Sequence, residues 1–120
     1  MATDEQIEQE IQTKCLTAPR ITPVDIEANI ASEWYFTAGD GCHAVQTNGN
    51  PGEPSHYDYA LDLLTFCVLV LRNGFTVTGE SAVASPENFN AEIGRKIART
   101  NAVAKIWPLM GYELRTKLAG

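Results

Sequence analysis

The run LDLLTFCVLVLR at residues 61–72, followed by Asn73-Gly74 and FTVTGESAVA, constrains this chain more than any other stretch. An Asn-Gly pair between two β-prone runs is the strongest short hairpin signal, because a type I′ turn needs positive φ at both central positions. Two antiparallel strands are expected. In the first, Leu64, Phe66, Val68 and Val70 share one face, while Thr65, Cys67, Leu69 and Leu71 share the other. A strand apolar on both faces is covered on both. The expected covers are the C-terminal helix on one face and a second subunit on the other.

The flanking sequence supplies helices. Ser85 is the expected N-cap of a long C-terminal helix, with Pro86 at N1 and Glu87 in the first turn. Phe89, Ile93, Ile97 and Ala104 fall near one stripe, which is the expected core face; Arg95, Arg99 and Lys105 lie off it. Pro108 is expected to kink or restart the helix. Ahead of the hairpin, DEQIEQEIQTKC spaces Ile7, Ile11 and Cys15 four apart, a narrow stripe for a helix that docks late. In TPVDIEANIASEW, Thr22 is the N-cap, Pro23 takes N1 and Asp25 takes N3, so a second helix is expected there. A strand is expected around Trp34 to Phe36. Residues 38–60, dense in Gly, Pro, Asn and Ser, read as a long irregular loop. The expected fold is α+β: one domain over 1–120, with a small antiparallel sheet packed against a long C-terminal helix and short N-terminal helices.

Charge is unevenly placed. Net charge is −6, yet six of the nine basic residues lie beyond residue 93: Arg95, Lys96, Arg99, Lys105, Arg115 and Lys117. All but one of the fifteen acids precede them. An acidic whole disfavours long nucleic acid, which requires a broad basic face, but it allows a small anion pocket. No apolar run is long enough to span a bilayer, and MATDEQIEQE does not resemble a secretory signal. A cytoplasmic protein is the expectation. Three cysteines without CxxC spacing argue against a disulfide framework and a structural zinc. Cys67 is expected in the core.

Little points to catalysis. His43 and His56 both sit in the expected loop without a partner at metal-ligand spacing. No GxSxG, P-loop or paired-carboxylate motif is present. No enzyme activity, metal or cofactor is expected. Anion-binding candidates are more numerous. Arg20 stands in a proline-flanked loop beside Thr17 and Thr22; Arg95 and Arg99 share a helix face; Arg115 and Lys117 lie near the C-terminus. Guanidinium groups with nearby hydroxyls and amides make a natural phosphate site. Exposed, solvated charge is the ordinary fate of such residues, and both readings stand at this point. Phe89 fits core as well as a stacking platform. Asn101, a weak helix former among apolar neighbours, is expected to use its amide in a hydrogen bond.

The block LTFCVLVLRNGFTVTGESAVASPENFNAEIGRKIARTNAVAKIWPLMGYELRTKL, with APRITPVDIEANI before it, resembles the gp-forty-nine/gp-sixty-six-like family of small tailed-phage accessory proteins. The resemblance covers about residues 16–36 and 61–118. NGFxVxGES, then SPENF, then IGRKIA is its specific combination. It extends to the first-type Thoeris anti-defence proteins, which resemble molecular sponges. These bind the cyclic ADP-ribose isomer made by a TIR-domain immune enzyme and hold it uncleaved. The resemblance implies a homodimer with nucleotide at the interface, hexamers in some members, and further sites for cyclic oligonucleotides. It implies action in the cytoplasm of the infected bacterial host. It places Leu16, Thr17, Arg20, Thr22, Phe89, Asn101 and Arg115 near ligand, beside the arginines Arg95 and Arg99 read from charge. Two other readings stay open: a phage protein that blocks a host protein by surface contact, and a nucleotide hydrolase, which the lack of a metal or nucleophile constellation disfavours.

Overall fold

The computed structural model describes residues 2–16 and 18–120. In chain order the elements are α1 (Asp4–Thr13), α2 (Pro23–Ala28), β1 (Ile30–Thr37), α3 (Ala38–Thr47), β2 (Leu64–Leu71), β3 (Thr76–Ala82) and α4 (Ala91–Ala119). Short 3-10 turns cover Tyr59–Leu63 and Pro86–Asn88. The sheet is antiparallel in the order β1-β2-β3. One face carries α4, so the fold is α+β.

The hairpin forms where expected, with a different turn. Gly74 has φ 90°, but Asn73 keeps a negative φ. Leu71 N–H donates to Phe75 C=O, closing a three-residue loop of Arg72, Asn73 and Gly74. This is the type I turn followed by one left-handed glycine, not the type I′ pair. The Asn73 side chain fixes it by accepting from the Phe75 N–H at 2.9 Å.

The alternation in β2 is strict. Thr65, Cys67, Leu69 and Leu71 are buried, and Leu64, Phe66, Val68 and Val70 are half-buried. The buried face meets α4. The core stripe of α4 is not the expected one. Gly94, Ala98, Ala102 and Ile106 are buried, four apart, whereas Ile93 and Ile97 are 55% and 48% exposed. The reason is close approach. A Cβ on Gly79 of β3 would lie 2.1 Å from the Ala98 C=O oxygen and 2.3 Å from the Ala102 N. Helix backbone therefore rests on strand backbone, and only small residues fit between them. Larger isoleucines are displaced to the flank. Ile106 and Leu69, fully buried, then close the core with Ile26 of α2. Each contributes roughly 1.5–3 kcal/mol by burial.

Boundaries differ from the sequence expectation in four places. The helix at Thr22 ends at Ala28 instead of reaching Trp34, because Ile30–Thr37 pairs with β2. Its Thr22–Asp25 capping box is present as expected. Residues 38–47 are helix, not loop. Thr37 caps α3 through Asp40, and Gly39 lies so close to Asp62 and Tyr57 that a Cβ would overlap both. The irregular stretch shortens to about 48–58 and is tied back by His43–Ser55 at 2.6 Å and by Gln46–His56. Pro86 opens a 3-10 turn only; Asn90, accepting from the Ile93 N–H at 3.0 Å, is the N-cap of α4. Finally, Pro108 lies inside a continuous α4. Ala104, whose C=O loses its i+4 donor there, is exposed, which leaves that carbonyl open to solvent.

Candidate anion site

The expected ligand-binding residues fall into separate places. At one end of α4, Phe89 and Arg95 line a small hollow of about 100 Å³ with Tyr35, Phe36, Thr37 and Asp40. Phe89 is half-buried just ahead of α4 and not on it. Arg95 is exposed and makes no ion pair among the described residues.

At the other end lies a groove of about 590 Å³. Arg20 and Ile21 form one wall, α2 and the hairpin turn supply Asp25, Asn29 and Arg72, and distal α4 supplies Met110, Glu113, Leu114 and Lys117. Three cations, Arg20, Arg72 and Lys117, thus line a groove that holds two acids. Arg72 sits where the hairpin turns, and its Nε donates to the Ala28 C=O. Arg115 belongs to the same stretch of α4 and is exposed, but it does not line the groove. Sequence reasoning left out Arg72. Its signal was its position: a lone cation at the exit of an apolar strand, beside the turn.

Arg20 is not idle. Its NH1 and NH2 donate to both carboxylate oxygens of Glu8 on α1, the latter at 2.8 Å, and its Nε donates to the Leu16 C=O at 3.1 Å. Hydrogen bonds from Arg20, then from Gln12, push the Glu8 carboxyl down to about 2. Thr22 is spent on the α2 cap. Leu16 is 58% exposed. Thr17 lies outside the described residues.

Arg99 and Asn101 have structural partners. Arg99 donates to both oxygens of Glu27, at 2.8 and 3.1 Å, and to both of Glu33, at 3.0 Å each. Glu33 also accepts from Tyr35 Oη at 2.7 Å. Bonds from Arg99, then from Tyr35, lower the Glu33 carboxyl; the two glutamates raise Arg99. Arg99 thereby ties α4 to α2 and β1, with its charge already balanced. Asn101 Nδ2 donates to the Glu80 C=O at 2.8 Å and ties α4 to β3. The amide has the hydrogen-bonding duty expected of it, toward the backbone.

The two ends are far apart. Arg95 and Arg115 are twenty residues apart on one helix, about 30 Å at 1.5 Å per residue. Among the described residues no group of three or more His, Cys, Asp or Glu has metal-binding geometry. No helix is long and apolar enough to cross a membrane.

A model of the phage protein (N4 Gp49/phage Sf6 gene 66) family matches residues 21–118. The chain belongs to this family. The matched span holds the sheet, α4, the hairpin turn with Arg72, and the Phe89–Arg95 hollow. It leaves out α1 and begins one residue after Arg20. No curated protein and no solved structure matches the chain.

Proposed function

We propose that this phage protein binds and sequesters a cyclic ADP-ribose isomer, the signal of a TIR-domain immune enzyme, in sites shared between two copies of the chain. The observation that carries this reading is the division of the anion-binding residues. Phe89 and Arg95 lie at one end of α4, and Arg20, Arg72, Arg115 and Lys117 at the other. A nucleotide with a pyrophosphate and an adenine needs both sets: guanidinium groups for phosphate, an aromatic face for the base. A second copy lying antiparallel along α4 supplies the missing half at each end. The family's phage membership and the resemblance to first-type Thoeris anti-defence proteins support the same reading.

Shape supports a partner copy. The radius of gyration is 18.3 Å, against about 13–14 Å for a compact chain of this length. The excess comes with exposed Ile93, Ile97, Leu109 and Tyr112 along α4. Holding a ligand calls for slow release and no reacting group, so ligand leaves unchanged. Hexamers, with added sites for cyclic oligonucleotides, are an extension of the same assembly. The place of action is the host cytoplasm.

Complementation tests the shared site. Arg20→Ala and Arg95→Ala should each abolish nucleotide binding alone. Mixing the two variants should restore about a quarter of the sites under random pairing, because half of the dimers are mixed and one of the two sites in each mixed dimer is intact. No recovery on mixing, with both variants folded, places the residues in separate sites and contradicts the proposal.

A second reading has its own observation. The sheet face opposite α4 shows Trp34 at 61% and Phe36 at 42% exposure, the latter packed at a tilt of 34° against Phe66 with ring centroids 5.7 Å apart. That face suits contact with a host protein. Trp34→Ala would then abolish capture of the host protein and leave nucleotide binding intact.

A further inference from the structure

We propose that α1 is a built-in competitor for the anion site: Glu8 holds Arg20 away from the groove until an incoming phosphate takes its place. The proposal rests on the reading of Arg20 as a phosphate ligand.

Arg20 lies between two spaces. On one side is the groove it shares with Arg72 and Lys117. On the other is a space of about 420 Å³ between α1 and the start of α2, lined by Glu5, Glu8, Gln9 and Gln12. The guanidinium is directed to the second side, where the Glu8 carboxylate meets it with two parallel hydrogen bonds. A carboxylate gripping a guanidinium in this fork uses the same donors that a phosphate uses. The two cannot hold those donors at once.

The helix that carries Glu8 is held lightly. No residue of α1 is buried, and Ile7 is 46% exposed. Besides Glu8, its described polar tie to the body is Asp4, which accepts from the Trp107 indole N–H at 3.1 Å. With little apolar burial, α1 docks through exchangeable polar contacts. Apart from the Glu8–Arg20 fork, whose side chains are 16% and 24% exposed, such an element belongs to the low-stability end of the molecule. Its ties reach to both Arg20 and α4, so release of Glu8 loosens α1 as a unit. Segment and core are also separable by family: the matched span begins at residue 21, after α1 and its connection. Both Glu8 and Arg20 therefore lie outside the matched span, on the segment that precedes it.

The consequence is a threshold. If only the fraction of molecules with α1 released binds ligand, apparent affinity falls by that fraction. Glu8→Gln keeps the size and helix propensity but removes the charge that pairs with Arg20.

The test uses the full chain in a Trp34→Phe background, leaving Trp107 as the fluorescent reporter of α1. In the first arm, the cyclic ADP-ribose isomer is titrated into the protein with and without Glu8→Gln. The proposal expects about five-fold or tighter binding for Glu8→Gln despite a slightly lower melting temperature from the lost ion pair, and a ligand-induced Trp107 change only in the protein retaining Glu8. Equal or weaker binding by Glu8→Gln overturns it. In the second arm, hydrogen exchange of residues 4–13 is followed on adding inorganic pyrophosphate, against sodium chloride of equal ionic strength. Faster exchange with pyrophosphate alone supports the competitor role, even where the cyclic nucleotide fails to bind and the sponge reading falls. Equal effects of the two salts reduce the contact to simple screening and overturn the proposal.

Discussion

At the scale of single residues, Gly79 and Arg99 fix how α4 sits on the sheet. A Cβ at Gly79 meets main-chain atoms of Ala98 and Ala102, which cannot rotate away. Gly79→Ala should therefore destabilise the fold by about 1–3 kcal/mol, the cost of overpacking, measured as a lower denaturant midpoint. Arg99 joins Glu27 and Glu33. Arg99→Met leaves those two carboxylates without their cation, and stability at neutral pH should fall by on the order of 1 kcal/mol. The sign with pH follows from the lowered Glu33 carboxyl. Its contribution is complete above the ordinary carboxylate range near about 4.3 and is lost as pH falls through the depressed folded value. The gap between wild type and Arg99→Met should accordingly narrow below about pH 4 in acid-denaturation curves. A gap that widens on acidification contradicts the ion-pair account. Neither partner set was legible in sequence. Charge spacing placed Arg95 and Arg99 on one helix face, but Glu33 and Glu27 are 66 and 72 positions from Arg99 and meet it only through the fold.

At the scale of elements, local chemistry was the most legible part. The Asn73-Gly74 hairpin and the Thr22–Asp25 cap could be read because their determinants lie within four residues. α3 could not be read from composition, since Gly39 and Gly41 lower its intrinsic propensity; Gly39 is required by contact with Asp62 and Tyr57. The Thr37–Asp40 capping box was its one local sign. The core stripe of α4 was misread because hydrophobicity ranked Ile93 and Ile97 above Gly94, Ala98 and Ala102. Close helix–strand approach reverses that ranking. Pro108 offers a test at this scale. It occupies an exposed position inside α4, where proline costs up to about 3 kcal/mol against alanine. Pro108→Ala should stabilise the protein and slow hydrogen exchange around Ala104 to Pro108. Unchanged exchange there would mean that the distal helix is held by something other than its own ladder.

At the scale of the whole molecule, the candidate site was legible only as a set of residue types. Sequence and resemblance named Arg20, Phe89, Arg95 and Arg115, but gave no sign that α4 separates them by about 30 Å. Nor did they reveal Arg72 in the groove or Glu8 on Arg20. Under the proposed shared site, this separation along α4 requires a second copy of the chain to complete each site. Sedimentation should give a dimer or larger species, and a charged change on the exposed flank, Ile97→Lys, should shift it toward monomer and weaken nucleotide binding together. Monomer that still binds nucleotide at full affinity would place the whole site within one chain. The central claim is retention without chemistry, and one measurement reaches it directly. The protein is incubated with the cyclic ADP-ribose isomer, freed of unbound nucleotide, heat-denatured, and the released material is quantified. The account predicts intact cyclic nucleotide in fixed proportion to protein; recovery of a cleaved product, or of no nucleotide, contradicts it.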